Sequence, residues 1–400
     1  MNIILFDEPQ ARKNLLPLTF TRPVADIRVG ISTLAKKWSR AFGTEVSYLT
    51  EPYLGKKYQT KIEDDNLLIN GSVCPTPEIL KIIEGLQPGH GITQADIPIA
   101  IRTSKFDTAT AFELFSDVEL TEITEKVTII DEVWKIFKIN GEQIREDYKA
   151  ITAGRKSCII EDTHTIIYGA NNIFVEEGVE IKAAVLNADN GPIYLGKNAK
   201  VHEGAIIKGP FSLGEGAEVN MASRMRGDIT IGPYCKVGGE ISNSVIFGFS
   251  NKGHDGFLGN SVIGEWCNLG AGTNTSNLKN NYADVKIWNY EKGGFRNTGE
   301  QFCGLIMGDH TKTGINSMLN TGTVTGVSAN IFGAGFPRNF VPSFSWGGSS
   351  GFTTFQIKKA FEVAEIVMAR RGKNLDDVEK EILTSVFEQT AEYRIWENSK

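Results

Sequence analysis

An aliphatic-type residue returns at every sixth position through residues 195–239 of this 400-residue chain. The residues on this phase are Leu195, Val201, Ile207, Leu213, Val219, Met225, Ile231 and Val237. A period of six matches neither the 3.6-residue period of a helix nor the alternation of one long strand. It predicts short strands joined by tight turns that stack on one another, a β-helix of hexapeptide repeats.

A second stretch, residues 307–335, repeats the pattern with Met307, Thr313, Leu319, Thr325 and Ile331. The period is broken twice, between Val237 and Ile263 and between Leu269 and Met307. Because the inner positions of a solenoid must stack, we expect both interruptions to be loops extruded from the β-helix. Loops on a rigid scaffold are where functional residues concentrate.

The N-terminal part reads as a mixed α/β domain. Apolar strand candidates at 3–6, 66–70 and 97–101 alternate with helix candidates at 31–41, 78–84, 133–138 and 140–150. This alternation favours a doubly wound, Rossmann-like sheet. The predicted domain limits are 1–155 for the α/β domain, 156–342 for the β-helix and 343–400 for a linker with a helical tail. In the tail we predict a linker at 343–350, helices at 353–371 and 375–393, and Asn374 as the second helix's N-cap.

Charge and cysteine content exclude some classes of function. The 48 acidic and 42 basic residues give a net charge of −6, and no basic tract of the kind that binds nucleic acid is present. The five cysteines have no paired spacing, which favours free thiols over disulfides or a metal site. No signal peptide and no membrane span are predicted, so we expect a cytoplasmic protein.

The first interruption carries the densest polar cluster, Ser250–Gly259, with His254 between Gly253 and Asp255. A neutral imidazole near pH 7 can take the proton of an amine as the amine attacks a thioester. Lys252, two residues earlier, would suit a phosphate as a mobile point charge. A lone histidine in a loop is also commonly a plain surface residue, and that alternative stays open at this point.

The segment His254–Gly264, followed by Asn268–Thr273 and Asn277, resembles the acetyltransferase half of a known family. That family is the bifunctional N-acetylglucosamine-1-phosphate uridyltransferase/glucosamine-1-phosphate acetyltransferases, and the similarity extends back through 230–234 and 243–246. The resemblance implies a nucleotidyltransferase-like domain followed by a left-handed β-helix, a homotrimer, and His254 as the general base. It implies acetyl-CoA as donor, with cofactor contacts at Ala271, Gly272 and Thr273. Substrate contacts are expected at Asn243, Lys252, Asn277, Lys279 and Tyr282.

This chain departs from the family pattern at several positions. Phe257 stands where the family has Tyr, Leu278 follows Asn277 in place of an aromatic residue, and two family cations align with Ser242 and Gly238. The second interruption is longer than expected and carries the cations Lys279, Lys286, Lys292 and Arg296. Either these side chains replace the missing cations, or the sugar phosphate is a different one.

The N-terminal segment 16–23 resembles the end of the sugar nucleotidyltransferase signature, in which a glycine-rich loop, Arg and Lys bind a triphosphate. The glycine-rich part is replaced by Asp7, Glu8 and Pro9. The strand-end Asp that holds Mg²⁺ in that family corresponds to the region of Asn70 and Gly71. The residues expected to contact phosphate or sugar here are Arg12, Lys13, Arg22, Asn70 and Gly71.

Together these features predict an enzyme of sugar-nucleotide biosynthesis. The β-helix is expected to transfer an acetyl group from CoA to an amino-sugar phosphate. The N-terminal domain is expected to act on, or bind, a sugar-1-phosphate or nucleoside triphosphate, with Mg²⁺ as a candidate companion ion. The alternatives are a nucleotidyltransferase of the glucose-1-phosphate thymidylyltransferase type with a structural β-helix, and a non-catalytic binder of sugar nucleotides such as UDP-N-acetylglucosamine. Zinc is not favoured, since three converging ligands are needed and His202, His254 and His310 lie far apart in sequence.

Overall fold

The computed structural model describes residues 1–104, 106 and 118–397. The segments with the hexad period form three long parallel sheets. All eight inner residues of the 195–239 stretch are at most 1% exposed. Each strand pairs with the strand one coil above it, as Leu213 does with Ile231. Burying one aliphatic side chain per strand along a common axis gives the solenoid its core. The prediction of a left-handed parallel β-helix is confirmed.

The sheets form three faces of the β-helix. The strands of the first face are Ile173–Val175, Ile193–Leu195, Phe211–Leu213, Ile229–Ile231, Val245–Gly248, Val262–Glu265, Leu305–Met307, Thr323–Thr325 and Phe340–Val341. Those of the second face are Glu180–Ile181, Lys200–Val201, Glu218–Val219, Lys236–Val237, Asn251–Lys252, Asn268–Leu269, Lys312–Thr313, Asn330–Ile331 and Ser345–Gly348. Gly351–Thr354 then pairs antiparallel with Ser345–Gly348 at the end of this sheet. Those of the third face are Ile166–Tyr168, Val185–Asn187, Ile206–Lys208, Arg224–Met225, Glu240–Ser242 and Phe257–Gly259, and Asn274–Thr275 pairs separately with Met318–Leu319.

The two breaks in the period have different causes. In the first, the coil is shortened: Leu213 pairs with Ile231, 18 residues on, whereas Ile231 pairs with Ile246 after 15 and Ile246 with Ile263 after 17. The prediction of an extruded loop is wrong here, because the corners between faces lose residues while the strands keep stacking. The second break is an insertion, which contains the antiparallel hairpin Lys286–Asn289 and Gly294–Asn297.

The N-terminal unit is built on a mixed sheet, so the α/β prediction is confirmed. The described strands run in the order Ser47–Leu49, Asn2–Phe6, Asn66–Asn70, Ile97–Thr103, His90–Gln94 and Glu119–Glu122. Ile97–Thr103 is antiparallel to both neighbours, which the alternation of elements did not predict. Ala95 and Asp96, both with positive φ, connect it to the preceding strand through a two-residue turn, and such a turn makes adjacent strands antiparallel.

The described helices lie close to their predicted positions, except for the first, which was not predicted. They are α1 (Pro9–Asn14), α2 (Leu34–Phe42), α3 (Pro77–Glu84), α4 (Val133–Lys138), α5 (Asn140–Thr152), α6 (Ile357–Ala369) and α7 (Asp377–Gln389). Short 3₁₀ helices are Leu18–Phe20, Val24–Asp26, Pro52–Leu54, Ala170–Asn172, Ala391–Tyr393 and Ile395–Glu397, and two further short strands are Arg28–Val29 and Ser32–Thr33. Within the described part of the chain, no helix is long and apolar enough to cross a bilayer.

Two details of the C-terminal segment correct the sequence analysis. The stretch predicted as a linker contains Ser345–Gly348, which pairs with Asn330–Ile331 and continues the second face. The N-cap of α7 is Asp376 and not Asn374, because the Asp376 carboxylate accepts the Glu379 N–H at 2.8 Å. A carboxylate is also the better partner for the positive end of the helix dipole.

The chain divides into two compact units, residues 1–27 with 32–132 and residues 28–31 with 133–400. Helices α4 and α5 therefore belong with the β-helix, where Asn140 donates a hydrogen bond to the Asp228 carbonyl at 3.0 Å. In the same unit, the Thr230 hydroxyl contacts the Asn140 Oδ1 at 3.0 Å. The limits 1–155, 156–342 and 343–400 remain predictions of domain organisation.

Candidate functional site

A groove of about 890 Å³ runs between helix α6 and the outer side of the second face. Outward residues of four successive coils line its floor, namely Lys236, Asn251, Asn268 and Lys312. They point outward because each precedes an inner residue of the same strand. On the opposite wall, Val363 and Val367 of α6 face the groove.

Stacked aromatic rings form one end of this groove. The ring centroids of Phe249 and Trp266 are 4.3 Å apart, and Tyr234 and His310 extend the stack on either side at 5.2 and 6.3 Å. All four residues have positive φ, since each occupies the same tight corner in successive coils. Their stacking keeps this corner rigid and presents aromatic surface from Phe249 and Trp266 to the groove.

Cationic groups are concentrated along the groove. Lys236 and Lys312 lie on its floor, and Arg370 and Arg371 lie at the C-terminal end of α6. Arg371 donates from Nη2 to the Asn251 Oδ1 at 3.0 Å, which ties the end of the helix to the β-helix. Lys312 donates to the His310 carbonyl at 2.8 Å, and burial lowers its pKa. Such a set of donors suits an anionic ligand such as a phosphate.

His254 lies at the corner between the second and third faces and lines the groove together with Gly253 and Ala271. The residue is exposed, and its ring makes no hydrogen bond with the residues that the structure describes. The turn is held from below, since the Asn220 amide donates to the Gly253 carbonyl at 2.7 Å. The imidazole is therefore accessible to a ligand while its backbone is fixed.

Lys252 does not have the position that the sequence analysis assigned to it. It occupies an inner position, stacked on Val237, and is 2% exposed. Its ammonium donates to the Gly238 carbonyl at 3.2 Å and to the His254 carbonyl at 2.8 Å. Burial lowers the pKa of Lys252 to about 8, against the opposing effect of the Asp255 carboxylate. The prediction of a mobile cation is wrong, because the side chain lies inside the β-helix.

The three residues predicted to contact the donor are arranged differently from one another. Ala271 lines the groove. Gly272 has a φ of 70°, and a Cβ there would lie 2.1 Å from the Asn316 Oδ1, so the position requires glycine. Thr273 is 1% exposed, and its hydroxyl contacts that of Thr313 at 2.9 Å inside the β-helix. Its side chain therefore faces away from the groove.

Asn243 and Asn277 do not line the groove of His254. Asn243 lines a second cavity of about 370 Å³ together with Asn260, Lys138 and Glu300. The Asn277 amide donates to the Asn260 Oδ1 at 2.8 Å, which places it beside that cavity. The predicted substrate contacts are thus divided between two corners of the third face, one at each end of Phe257–Gly259.

Two predicted cations of the inserted segment, Lys279 and Arg296, make structural contacts. Lys279 donates to the Asp284 carbonyl at 2.6 Å, whereas Tyr282 is 64% exposed. Arg296 lies 5.1 Å from the ring centroid of Trp134, a cation–π contact. Within the hairpin, Trp288 stacks on Phe340 with a centroid distance of 4.1 Å. The insertion thus holds helix α4 and the last coils of the β-helix.

In the N-terminal unit, Arg12 is engaged by the protein itself. Its Nη1 donates to the Asp7 carboxylate at 2.6 Å and its Nη2 to the Thr19 carbonyl at 2.7 Å. The other Asp7 oxygen accepts the Val24 N–H at 2.7 Å. Burial raises the pKa of the Asp7 carboxyl, and Arg12 opposes that change. Asp7 therefore occupies the guanidinium that was predicted to contact phosphate.

The other residues predicted to contact phosphate or sugar in this unit are Asn70, Gly71, Arg22 and Lys13. Asn70 is buried and donates to the Pro98 carbonyl at 2.9 Å, while its Oδ1 accepts from Ser72. The Gly71 N–H donates to the Phe6 carbonyl at 2.8 Å. Arg22 is 3% exposed, with its Nη1 3.9 Å from the Asp26 carboxylate, and Lys13 is exposed on α1. Among the described residues, no cluster of three or more His, Cys, Asp or Glu could hold a metal ion.

Sequence reasoning missed the contribution of the tail to the groove. It predicted a helix at 353–371 without a role in a site, whereas Val363, Val367, Arg370 and Arg371 line the groove beside the second face. Lys236, Asn268 and Lys312 could have been found, since each precedes an inner residue of the hexad pattern. Asn251 could not, because the period does not predict the inner position of Lys252. The docking of α6 has no comparable signal, because an amphipathic pattern shows only that one side of the helix is covered.

Comparison with known proteins supports both halves of this description. Residues 3–156 match the family model described as sugar nucleotidyl transferase. A bifunctional sugar-1-phosphate nucleotidylyltransferase/acetyltransferase of Sulfurisphaera tokodaii is 37% identical over 93 residues, which is 23% of each chain. The bifunctional protein GlmU of Methanocaldococcus jannaschii is 36% identical over 87 residues, 22% of this chain and 21% of that protein.

The chain thus aligns with less than a quarter of the length of these curated relatives. Among solved structures, the Arabidopsis UDP-N-acetylglucosamine acyltransferase matches with a TM-score of 0.27 and 15% identity, over 57% of this chain and 90% of that one. Residues 3–156 are thus similar to the sugar nucleotidyl transferases, and part of the chain is similar to the bifunctional sugar-1-phosphate nucleotidylyltransferase/acetyltransferases.

Proposed function

We propose that the protein transfers an acyl group, in the first instance acetyl, from a CoA thioester to the amino group of a sugar phosphate. The observation that carries this proposal is the groove in which exposed His254 adjoins apolar, aromatic and cationic surfaces. CoA has matching parts: a long neutral arm, a purine ring and several phosphates. The names of the relatives, which include acetyltransferase, support the same reaction.

The chemistry requires two proton transfers and one bond exchange. His254 accepts a proton from the amine while the amine nitrogen forms a bond to the thioester carbonyl carbon. The carbon–sulfur bond then breaks, and the proton is returned to the leaving thiolate of CoA. The Gly253–His254 turn fixes the position of the imidazole, as its hydrogen bond to Asn220 indicates. Gly270 and Ala271 line the groove along the path that the neutral arm of the donor would follow, and Gly272 is retained as a candidate contact.

In this proposal the phosphates of the donor contact the cationic end of α6. Reversing the charge of Arg370 by Arg370→Glu is expected to raise the KM for acetyl-CoA about tenfold or more, with kcat within twofold of wild type. The assay follows the release of the CoA thiol with glucosamine-1-phosphate as acceptor. The matched control is Lys358→Glu, an exposed cation on the same helix outside the groove. An unchanged KM in Arg370→Glu would contradict donor binding here.

The acceptor site is a further part of the proposal. Asn243 and Asn277, at the other end of Phe257–Gly259, are retained as candidate sugar-phosphate contacts. Lys279 and Tyr282 of the inserted segment are retained as further candidates. Because Asn243 and Asn277 do not line the groove of His254, we propose that a neighbouring subunit of a homotrimer completes the acceptor site. The mass of the protein in solution tests this assembly. A cytoplasmic location is proposed because CoA thioesters and nucleoside triphosphates are supplied there.

We assign to the N-terminal domain the binding or turnover of a sugar-1-phosphate, nucleoside triphosphate or sugar nucleotide. The family match over residues 3–156 supports this assignment. The engagement of Arg12 by Asp7 favours binding over nucleotidyl transfer, since a triphosphate would have to compete with a buried carboxylate. The described residues hold no metal cluster, so Mg²⁺ would arrive with the phosphates of the nucleotide.

UTP, dTTP or UDP-N-acetylglucosamine is expected to raise the melting temperature of the protein by several degrees, because a ligand that prefers the native state stabilises it. Lys13→Glu should at least halve that shift, since Lys13 is exposed at the predicted phosphate segment. The measurement is thermal unfolding with and without Mg²⁺, and Lys126→Glu in the same unit is the control. If none of the three ligands shifts the wild-type protein, nucleotide binding by this domain is rejected.

A further inference from the structure

A lysine interrupts the apolar inner column of the second face at the coil that carries His254. The neighbouring inner positions are Val219, Val237 and Leu269, each at most 3% exposed. Register places Lys252 between Val237 and Leu269, because Asn251 pairs with Asn268. A buried ammonium is costly unless its donors are satisfied, so an apolar residue at this position would give a more stable core.

The ammonium of Lys252 connects two adjacent corners of the β-helix. It donates to the Gly238 carbonyl at 3.2 Å and to the His254 carbonyl at 2.8 Å. The first carbonyl belongs to the preceding coil and the second to the residue whose imidazole lines the groove. A buried, charge-assisted pair of hydrogen bonds fixes the height and orientation of the His254 backbone relative to the coil below it.

From this geometry we infer that Lys252 is a positioning residue that holds His254 in the orientation needed for acyl transfer. This inference rests on the proposed function of the groove. Lys252 does not reach the ligand, since its side chain lies inside the β-helix. It acts through the backbone of His254, so its loss should reduce the rate of the chemical step more than the binding of the donor.

The hold on His254 depends on pH. Burial lowers the pKa of Lys252 to about 8, with the Asp255 carboxylate opposing the shift. His254 and Asp255 are the titratable groups on its own turn, Lys236 and Glu240 lie on the preceding coil, and the buried thiol of Cys267 lies on the next. Above pH 8 the amine is neutral and its hydrogen bonds to carbonyl oxygens weaken. We expect kcat to fall through this range.

Stability should change in the opposite direction. The folded-state pKa of Lys252 is below the ordinary value of 10.5, so the unfolded chain binds more protons between pH 8 and pH 10.5. This group therefore makes the protein more stable as pH rises across that window. A fall in kcat with unchanged or increased stability distinguishes positioning of His254 from general loosening of the fold.

Lys252→Met tests the inference, because methionine fills a similar volume without a charge. Expected results are a kcat that is 10- to 100-fold lower, a KM for acetyl-CoA within twofold of wild type, and a melting temperature equal to or above that of wild type. The decline of kcat near pH 8 should disappear in this variant. Lys252→Arg keeps a charged donor. If this variant folds, its decline of kcat should move to higher pH.

Lys200→Met, an outward lysine of the same face three coils before Lys252, is the control and should leave kcat and its pH profile unchanged. The inference is overturned if Lys252→Met keeps the kcat and pH profile of wild type while His254→Ala is inactive. It is also overturned if kcat and melting temperature of Lys252→Met fall together. If His254→Ala retains activity, it is the proposed function of the groove that fails, and the two failures are thus distinguishable.

Discussion

His254→Ala is expected to lower kcat for CoA release with glucosamine-1-phosphate by 10²- to 10⁴-fold, the usual contribution of a general base. The KM for acetyl-CoA should change little, because the cations and aromatic rings of the groove remain in place. The variant should fold normally, since the ring is exposed and makes no hydrogen bond within the described part of the chain. Steady-state thiol release and thermal unfolding measure the two expectations.

The matched control is His202→Ala, the same substitution on a different coil of the same β-helix. His202 lies outside the groove and is 4.0 Å from Glu218, so its loss should leave kcat unchanged. Retention of the wild-type rate in His254→Ala would reject acyl transfer with this base. If thiol release is lost while exchange of pyrophosphate into a nucleoside triphosphate persists, the N-terminal domain has an independent nucleotidyltransferase site. The preference for binding over turnover in that domain would then be wrong.

The fold of the β-helix could be predicted because its core has a simple repeat. One inner residue per strand must be small enough and apolar enough to stack on the strand below it. Residues such as Ile207, Leu213 and Ile231 meet that requirement and are fully buried. The N-terminal unit was predicted only by class, since one two-residue turn at Ala95 and Asp96 was enough to introduce an antiparallel strand.

The first interruption was misread because the period alone cannot distinguish a shortened coil from an inserted loop. Between Val237 and Ile263 the inner phase shifts in either case. Stacking constrains the strands and not the corners, so the coils after Ile231 could lose residues without changing the paired faces. The same shift moves Lys252 to an inner position that the period of six does not predict. For this reason the sequence analysis assigned it as a surface cation.

Only part of the lining of the groove could be predicted from the sequence. His254 and Ala271 do line one groove, as the local motif indicated. The arginines of α6 come from a segment about a hundred residues away along the chain, and their position depends on where the helix docks. Docking is set by complementary surfaces of two elements, such as the contact of Arg371 with Asn251, and neither sequence segment specifies it alone.

The shortened coil also makes a strong prediction about Gly232, which directly follows Ile231. A Cβ at this position would lie 1.5 Å from the Phe247 carbonyl oxygen and 2.3 Å from its carbon. The Gly232 N–H donates to the Ile246 carbonyl at 2.8 Å, so the two backbones cannot separate without losing a buried hydrogen bond. Gly232→Ala is therefore expected to destabilise the protein by roughly 4 kcal/mol or more.

The measurement is the free energy of unfolding in denaturant, with the soluble yield as a second indicator. Gly294→Ala is the matched control, because the nearest atom to a Cβ there is the Lys292 carbonyl oxygen at 4.0 Å, and it should change stability by less than about 1 kcal/mol. Comparable stability of the two variants would show that the coils can separate at this corner. The loss of three residues between Ile231 and Ile246 would then not hold the two backbones in rigid contact. The explanation of the first interruption as a tight, shortened coil would have to be abandoned.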